Sequence, residues 1–335
     1  MKKLIIAIII LAYILTPLKA YPRQVGTWKS YLSYNNVTDV KKGGNILYVL
    51  ASGALFTYNT TDESIVTYDK ANGLNDNGIV YIAWCQSAHG LLIVYSNNNM
   101  DVLYDNGEIM NLPDYYNYQF TGDKTINDVY IDGKYAYLST NFGILKIDVS
   151  DPKIKDTYNI GKPITHTYIK DKHIFAASSR LQATYTASLS SNLLDKNSWK
   201  QSGGYTPKAN TTDPGLLSLA NTLKPSGPRY NYFEFMKFHN GKLYTAGGGY
   251  TPEADSNRHG IIQVLKEDDN WQIYQDHLDT ITGVNYISTN CLAIDPNDDK
   301  HVFGSGKTGI YEFYDGKFVR HFTYDNSPIA PAVTN

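Results

Sequence analysis

Cysteine is scarce in this chain, which has only Cys85 and Cys291 among its 335 residues. Two thiols are too few to hold together a disulfide-rich domain. The repeat described below places both residues in equivalent innermost strands of units that are not neighbours. Because a disulfide needs Cα atoms within about 7 Å of each other, we expect two buried free thiols.

Motifs for catalysis and for metal or cofactor binding are also missing. The eight histidines include no pair at metal-ligand spacing. Gly247-Gly248-Gly249 lacks the helix pattern that must follow a phosphate loop, and no Gly-x-Ser-x-Gly elbow is present. Acidic clusters such as residues 295–299 lie beside Gly, Pro or Asn, which is typical of turns. We therefore expect no enzyme, no catalytic residue, no metal and no cofactor.

The chain has no large excess of either charge. Its formal net charge is -2, and acidic and basic residues are interspersed. A nucleic-acid-binding protein usually carries a basic stripe, so we expect no nucleic-acid partner. After residue 20 no stretch shows a sustained apolar period of 3.6 residues, which predicts few helices.

The first twenty residues have the pattern of a signal peptide. Lys2 and Lys3 precede an apolar run over residues 4–18, and Ala20 is a suitable residue before the cleavage point. The run is too short to span a bilayer comfortably. We expect residues 1–20 to be removed on export, with an uncleaved anchor as the alternative.

A four-strand pattern repeats along the remaining sequence. Its third strand is clearest at residues 53–58, 99–104, 143–147 and 309–314, and the first three copies begin 46 and 44 residues apart. Repeats of roughly 40–50 residues with four strands are typical of propeller blades. Turn sequences such as Asp132-Gly133 and Asn240-Gly241 fall where the first two strands of a repeat should meet. The 29 tyrosines suit half-buried strands.

The predicted fold is therefore all-β, a β-propeller of four-stranded antiparallel blades. Six blades are visible, together with part of a seventh. The predicted blades cover residues 37–69, 79–112, 125–158, 164–202, 232–277 and 287–323.

The two ends of the propeller domain, residues 21–335, point to an incomplete ring. Residues 27–31 resemble the outermost strands that begin at Trp199 and Trp271. A propeller commonly closes when its first strand completes the last blade, but the tail after residue 323 is too short to supply the other strands. We expect the full-length protein to continue, and a closed six-bladed ring is the alternative.

Two insertions interrupt the repeat, at residues 202–231 and 246–259, and both should emerge on the same face of the propeller. Long loops on a rigid scaffold often carry function. Aromatic rings beside polar donors suit contacts with sugars or with proteins, although these tyrosines could equally pack beneath their own loops. With the loop at residues 113–122, the insertions supply the predicted binding residues, which are Tyr115, Tyr116, Tyr205, Arg229, Tyr230, Tyr250, Arg258 and His259.

Three segments resemble the N-terminal propeller of the PorZ family, which belongs to the type IX secretion system of Bacteroidetes. They are Trp28-Lys29-Ser30-Tyr31-Leu32-Ser33-Tyr34, the run at residues 47–58 and the stretch at residues 68–74. The resemblance covers most of the chain after the signal peptide, but no segment is a strict signature. The family also has a second propeller and a sorting domain, which this sequence does not contain.

The resemblance implies an exported protein at the cell surface, associated with the outer membrane. It would work with the sortase PorU and with PorV and PorQ in the attachment complex, which joins cargo to anionic lipopolysaccharide. The ligand could be that lipopolysaccharide or another glycan. The alternative is the extracellular glycan-sensing propeller of a hybrid two-component regulator. A glycosidase or lyase would require two carboxylates that converge on the propeller axis.

Overall fold

The computed structural model describes residues 28–249 and 256–329. Their strands form six four-stranded antiparallel sheets, each in chain order from its first strand to its fourth. This arrangement confirms the all-β propeller prediction. We number the sheets as blades one to six, and every predicted blade boundary lies within four residues of the observed one.

The strands are numbered in chain order, four to a blade. Blade one contains β1 (Val37–Gly43), β2 (Ile46–Ala51), β3 (Ala54–Asn59) and β4 (Ile65–Tyr68). Blade two contains β5 (Ile79–Cys85), β6 (Gly90–Tyr95), β7 (Met100–Tyr104) and β8 (Ile109–Asn111). Blade three contains β9 (Ile126–Asp132), β10 (Tyr135–Thr140), β11 (Gly143–Asp148) and β12 (Lys153–Asn159).

The second half of the chain continues the same order. Blade four contains β13 (His166–Lys170), β14 (His173–Ser178), β15 (Ala183–Ser188) and β16 (Lys200–Gly204). Blade five contains β17 (Phe235–His239), β18 (Lys242–Ala246), β19 (Ile262–Leu265) and β20 (Trp271–Ile273). Blade six contains β21 (Thr289–Asp295), β22 (Asp298–Gly306), β23 (Gly309–Tyr314) and β24 (Lys317–Phe322).

Helices are few and short in the described residues, as the missing helical period predicts. They are α1 (Asp114–Asn117), α2 (Pro214–Thr222) and α3 (Asp279–Thr282), with 3-10 turns at Gln86–Ala88 and Lys196–Ser198. None of these helices is both long enough and apolar enough to pass through a bilayer.

Apolar side chains join most neighbouring blades. One cluster contains Leu50 of blade one and Ile93 of blade two, and a second contains Leu92 of blade two and Leu138 of blade three. Further clusters join blades three and four and blades five and six. None of the clusters formed by described residues joins blade four to blade five. Buried apolar contacts thus group the blades into two sets, blades one to four and blades five and six.

Helix α2 covers the face of blade one that points away from blade two. Ala220 is fully buried there against Val49 and Phe56. The helix lies in the linker between β16 and β17, residues 205–234, where the sequence pattern predicts only a loop. Asp213 caps it by accepting a hydrogen bond from the Gly215 N–H at 2.7 Å, and Pro214 occupies its first turn.

The predicted outermost strand near the start of the chain does not form in the described residues. Residues 28–36 contain no strand, and neither do residues 324–329. The Tyr31 ring packs edge-on against Trp271, and its hydroxyl donates to Asp269 at 2.7 Å. Residues 31–36, which we call the head, therefore contact the outermost part of blade five, and no part of a seventh blade is seen in the described residues.

The head also approaches the linker closely at Gly227. A Cβ atom at this position would lie 2.3 Å from the Leu32 carbonyl oxygen. A larger residue would have to push the two segments apart, so glycine permits this contact.

The two cysteines are free, but only one is buried. Cys85 ends β5 and is fully buried, with its thiol 3.3 Å from the Gly133 carbonyl oxygen. Cys291 is exposed, so the prediction of two buried thiols is wrong for this residue. Its neighbour Leu292 points into the core shared with blade five, and alternation along the strand turns Cys291 to the opposite, uncovered face.

Candidate functional site

The two insertions meet beside blade five. Tyr230 of the linker and His259 of the loop between β18 and β19 have ring centroids 6.2 Å apart. His259 also forms an isolated β-bridge with Ile287, which anchors its loop to the entry of blade six. We call the residues gathered here the blade-five cluster. Its members are Arg229, Tyr230, Tyr232, Arg258, His259 and Asp276.

The linker side of the cluster is fixed by one buried amide. The side-chain oxygen of Gln263 accepts hydrogen bonds from the backbone N–H groups of Arg229 and Tyr230 at 2.5 and 3.1 Å. Its side-chain nitrogen donates to the Tyr230 carbonyl at 3.2 Å. From the head, the Ser33 hydroxyl donates to the Arg229 carbonyl at 2.6 Å. These bonds hold the backbone of the linker in one position.

Aromatic rings and a cation form the surface of the cluster. Tyr230 and Tyr232 are stacked, with centroids 5.0 Å apart and planes inclined by 13°. The Arg258 guanidinium carbon lies 5.3 Å from the centre of the Tyr232 ring, within cation–π distance. Burial raises the pKa of Tyr232 to about 12, so its phenol stays protonated. The surface therefore offers ring faces and hydrogen-bond donors.

Behind this surface lies Asp276, whose side chain is 9% exposed and paired with the Arg229 guanidinium. The Nε2 atom of His259 lies 3.8 Å from the same carboxylate. Burial is the main cause that lowers the pKa of His259, and it outweighs the opposing attraction of Asp276. His259 is consequently neutral at neutral pH, and Asp276 neutralises the charge of Arg229.

The other predicted site residues lie elsewhere. Tyr205 packs edge-on against His166 of blade four, with centroids 5.8 Å apart. Tyr116 is half exposed. Tyr115 is 1% exposed, and its hydroxyl donates to the Lys124 carbonyl, so it packs beneath its own loop. Tyr250 lies outside the described residues.

Sequence reasoning missed two members of the cluster. Tyr232 follows Tyr230 by two residues, and its place in the same tyrosine-rich linker could have marked it. Asp276 follows β20 at the outer edge of blade five, where an aspartate looks like any other turn residue.

The chemistry of the cluster is that of a contact surface. Stacked tyrosines beside a guanidinium suit flat or anionic groups of a partner. Among residues 28–249 and 256–329, no group of three or more His, Cys, Asp or Glu side chains could hold a metal ion.

These sheets and loops define a β-propeller protein. Residues 47–200 match the family model of the N-terminal β-propeller domain of PorZ from the type IX secretion system. Over these residues the chain is similar to the PorZ propeller, and the resemblance seen in the sequence is confirmed. None of the curated proteins matches this sequence significantly.

One similar solved structure is that of PorZ from Porphyromonas gingivalis, described as an essential bacterial surface component of its type IX secretion system. The two are 19% identical with a TM-score of 0.76, over 91% of this chain and 54% of that chain. The chain therefore spans about half the length of the PorZ structure, and the likeness shows the fold.

Two further structures align with TM-scores of only 0.38, too low to support an argument. One is the extracellular domain of a protein from B. thetaiotaomicron assigned to the hybrid two-component systems, at 12% identity, over 90% of this chain and 42% of that chain. The other is the dihydro-heme d1 dehydrogenase NirN, at 11% identity, over 86% of this chain and 56% of that chain.

Proposed function

We propose that this chain is a non-enzymatic, exported component of the type IX secretion system that acts at the cell surface, associated with the outer membrane. In this role it helps the attachment complex, with the sortase PorU and with PorV and PorQ, to anchor cargo to anionic lipopolysaccharide. The observation that carries the proposal is the match of residues 47–200, most of blades one to four, to the PorZ propeller family.

We further propose that the blade-five cluster is the surface by which the propeller contacts this complex or its glycolipid. Arg229 and Tyr230 are held by Gln263, so little conformational freedom is lost when a partner binds. Tyrosine and arginine are the side chains that most often contribute strongly to protein contacts.

Gene deletion in the source bacterium tests the general role. We expect type IX cargo to accumulate in the periplasm or to be released without its anchor, as seen by fractionation and immunoblotting. Complementation with the wild-type gene should restore anchoring. Normal anchoring of cargo in the deletion strain would contradict the proposal.

The role of the cluster is tested in the same strain. The variant Tyr230→Ser/Arg258→Ser should fail to restore anchoring although the protein is exported in normal amount. The control is Tyr324→Ser/Lys155→Ser, which changes an exposed tyrosine and an exposed lysine elsewhere. If both variants restore anchoring equally, the contact surface lies away from blade five.

A further inference from the structure

A cavity of about 750 Å³ lies among the innermost strands of blades one to four. This volume falls within the range of roughly 300–1,000 Å³ that is usual for small-ligand sites. Strands β1, β5, β9 and β13 line it, and residues 206–211 of the linker, which we call the strap, lie against it. No residue of the blade-five cluster lines this cavity.

Consecutive residues of each innermost strand line the cavity. The polar side chains among them that matter for binding are Asp39, Lys41 and Lys42 of β1, Asp128 and Tyr130 of β9, and His166 and Tyr168 of β13. Of these, Lys42 is exposed.

The strap is fixed at two strands. The Lys208 ammonium donates to both carboxylate oxygens of Asp128, at 2.6 and 2.9 Å. The Thr212 hydroxyl, just past the strap, donates to Asp39 at 3.0 Å. Asp39 also pairs with Lys41 at 3.0 Å. Both acidic groups of the lining are therefore already neutralised by groups of this chain.

Several other groups keep unused hydrogen-bonding capacity. His166 lines the cavity, and neither of its ring nitrogens has a hydrogen-bond partner in the described part of the chain. The phenol oxygens of Tyr130 and Tyr168 and the ammonium of Lys42 likewise have no hydrogen-bond partner among the described residues.

The unused groups of the lining are chiefly donors, and Lys42 carries a positive charge that no ion pair among the described residues neutralises. Phenols and an ammonium donate to oxygen atoms, and a neutral imidazole can exchange a hydrogen bond with a hydroxyl. Burial is the main cause that lowers the pKa of His166, so this imidazole is neutral at neutral pH. Tyrosine rings also provide flat apolar faces for a sugar ring. A hydroxylated ring with a single negative charge matches these features.

We propose that this cavity binds a sugar acid, with hydroxyl groups on His166, Tyr130 and Tyr168 and the carboxylate on Lys42. The site is independent of the blade-five cluster, because blades one to four and the strap build it. It adds to the propeller a small-ligand site beyond its proposed role in cargo anchoring.

Isothermal titration calorimetry of the full chain with D-glucuronate tests the site, and D-glucose is the uncharged comparison. We expect saturable binding of one glucuronate, with an affinity about tenfold or more above that for glucose, because the carboxylate adds a charge-assisted hydrogen bond. Equal affinities for the two sugars would overturn the assignment of the carboxylate to Lys42.

Variants locate the bound sugar. His166→Phe and Lys42→Gln should each weaken glucuronate binding by about tenfold, the usual effect of one lost hydrogen bond to a ligand. His173→Phe and Lys155→Gln, which change exposed residues outside the cavity, should leave it unchanged. If His166→Phe does not fold, Tyr168→Phe removes only a phenol oxygen and should also weaken binding.

The proposal is overturned if the folded chain binds neither sugar saturably, or if the cavity variants bind as tightly as their controls. A glucuronate-terminated trisaccharide distinguishes the source of the ligand. Binding at least as tight as that of the monosaccharide supports the end of a longer glycan, and exclusion of the trisaccharide supports a free sugar acid. Neither result depends on whether cargo anchoring requires the chain.

Discussion

Blades one to four and blades five and six have the same strand order but are held to their surroundings differently. Continuous apolar clusters join the first four blades. Blade five instead contacts the linker and the head, through the hydrogen bonds of Gln263 and the ring contact between Tyr31 and Trp271. Two of its innermost side chains, Met236 and Phe238, are 61% and 72% exposed.

The difference shows that repeated strand order does not ensure repeated packing. Where one blade follows another after a short loop, the facing side chains bury each other. A linker of thirty residues separates blade four from blade five, and its helix covers blade one instead. We therefore expect the two sets of blades to unfold as separate cooperative units.

The largest expected effect comes from the apolar core. Leu138→Ala should lower the free energy of unfolding of blades one to four by about 2–5 kcal/mol, since it leaves a cavity at a fully buried position. Leu292→Ala, at the contact of blades five and six, should affect only the second unit. Chemical denaturation monitored by hydrogen exchange of each blade measures the effects of both substitutions. A single unfolding transition shared by all six blades would contradict the existence of two separate units.

A smaller effect is expected from the polar contact of blade five. Gln263→Ala leaves the N–H groups of Arg229 and Tyr230 without their acceptor, at a total cost of about 1–3 kcal/mol because both residues are only half-buried. The amides of these two residues should exchange faster, whereas exchange in blade two should not change. Gln272→Ala, on the adjacent strand, is the control. Unchanged exchange at residue 230 would show that other contacts fix the linker.

Each set of blades contains one histidine whose pKa is lowered mainly by burial, His166 in blade four and His259 beside blade five. In the unfolded chain the pKa of a histidine returns to about 6.5. Stability should be full above this pH and should fall as the pH drops through it, because the unfolded state then binds more protons.

The pH dependence of stability is measured by the urea concentration at which half of the protein is unfolded, at about pH 7.5 and about pH 5.5. His166→Phe should flatten it for blades one to four, and His259→Phe should flatten it for blades five and six. His173→Phe, at an exposed position, serves as the control. If His259→Phe alters the pH dependence of the first unit, the two sets are coupled.

The smallest expected effect concerns the strap. Lys208→Met removes the ion pair with Asp128, whose partners are 40% and 15% exposed. Pairs near the surface contribute about 0–1 kcal/mol, so stability should change by less than about 1 kcal/mol. The sharper readout is limited proteolysis within residues 206–211, which should be faster in the variant than in Lys155→Met. An equal cleavage rate would show that Thr212 suffices to hold the strap.

Much of the fold could be predicted because strand alternation and turn residues recur with the blade period. Asn240 and Gly241, for example, have the positive φ values of 46° and 72° that their turn sequence predicts. Helix α2 also had a sequence signal, Asp213 followed by Pro214 and several leucines, but the glycines and prolines around it suggested a loop. The exposure of Cys291 could not be predicted, because it depends on which blade face lacks a neighbour.

The candidate site could be predicted only in part. That Arg229, Tyr230, Arg258 and His259 lie together follows from two insertions on one face of a propeller. The burial of Tyr115 depends on Lys124, whose ammonium donates to three carbonyl groups of the same loop. The part played by Asp276 depends on tertiary contacts that leave no local pattern.

Helix α2 has a consequence for synthesis of the chain. Val49 and Phe56 are covered by Ala220, which follows them by more than 160 residues. A polypeptide is synthesised from its first residue onward, so this face of blade one is exposed while blades two to four are completed. Transiently exposed apolar surface favours aggregation and chaperone binding. Truncation before residue 214 should therefore yield a chain that needs a holding chaperone, even though four complete blades are present.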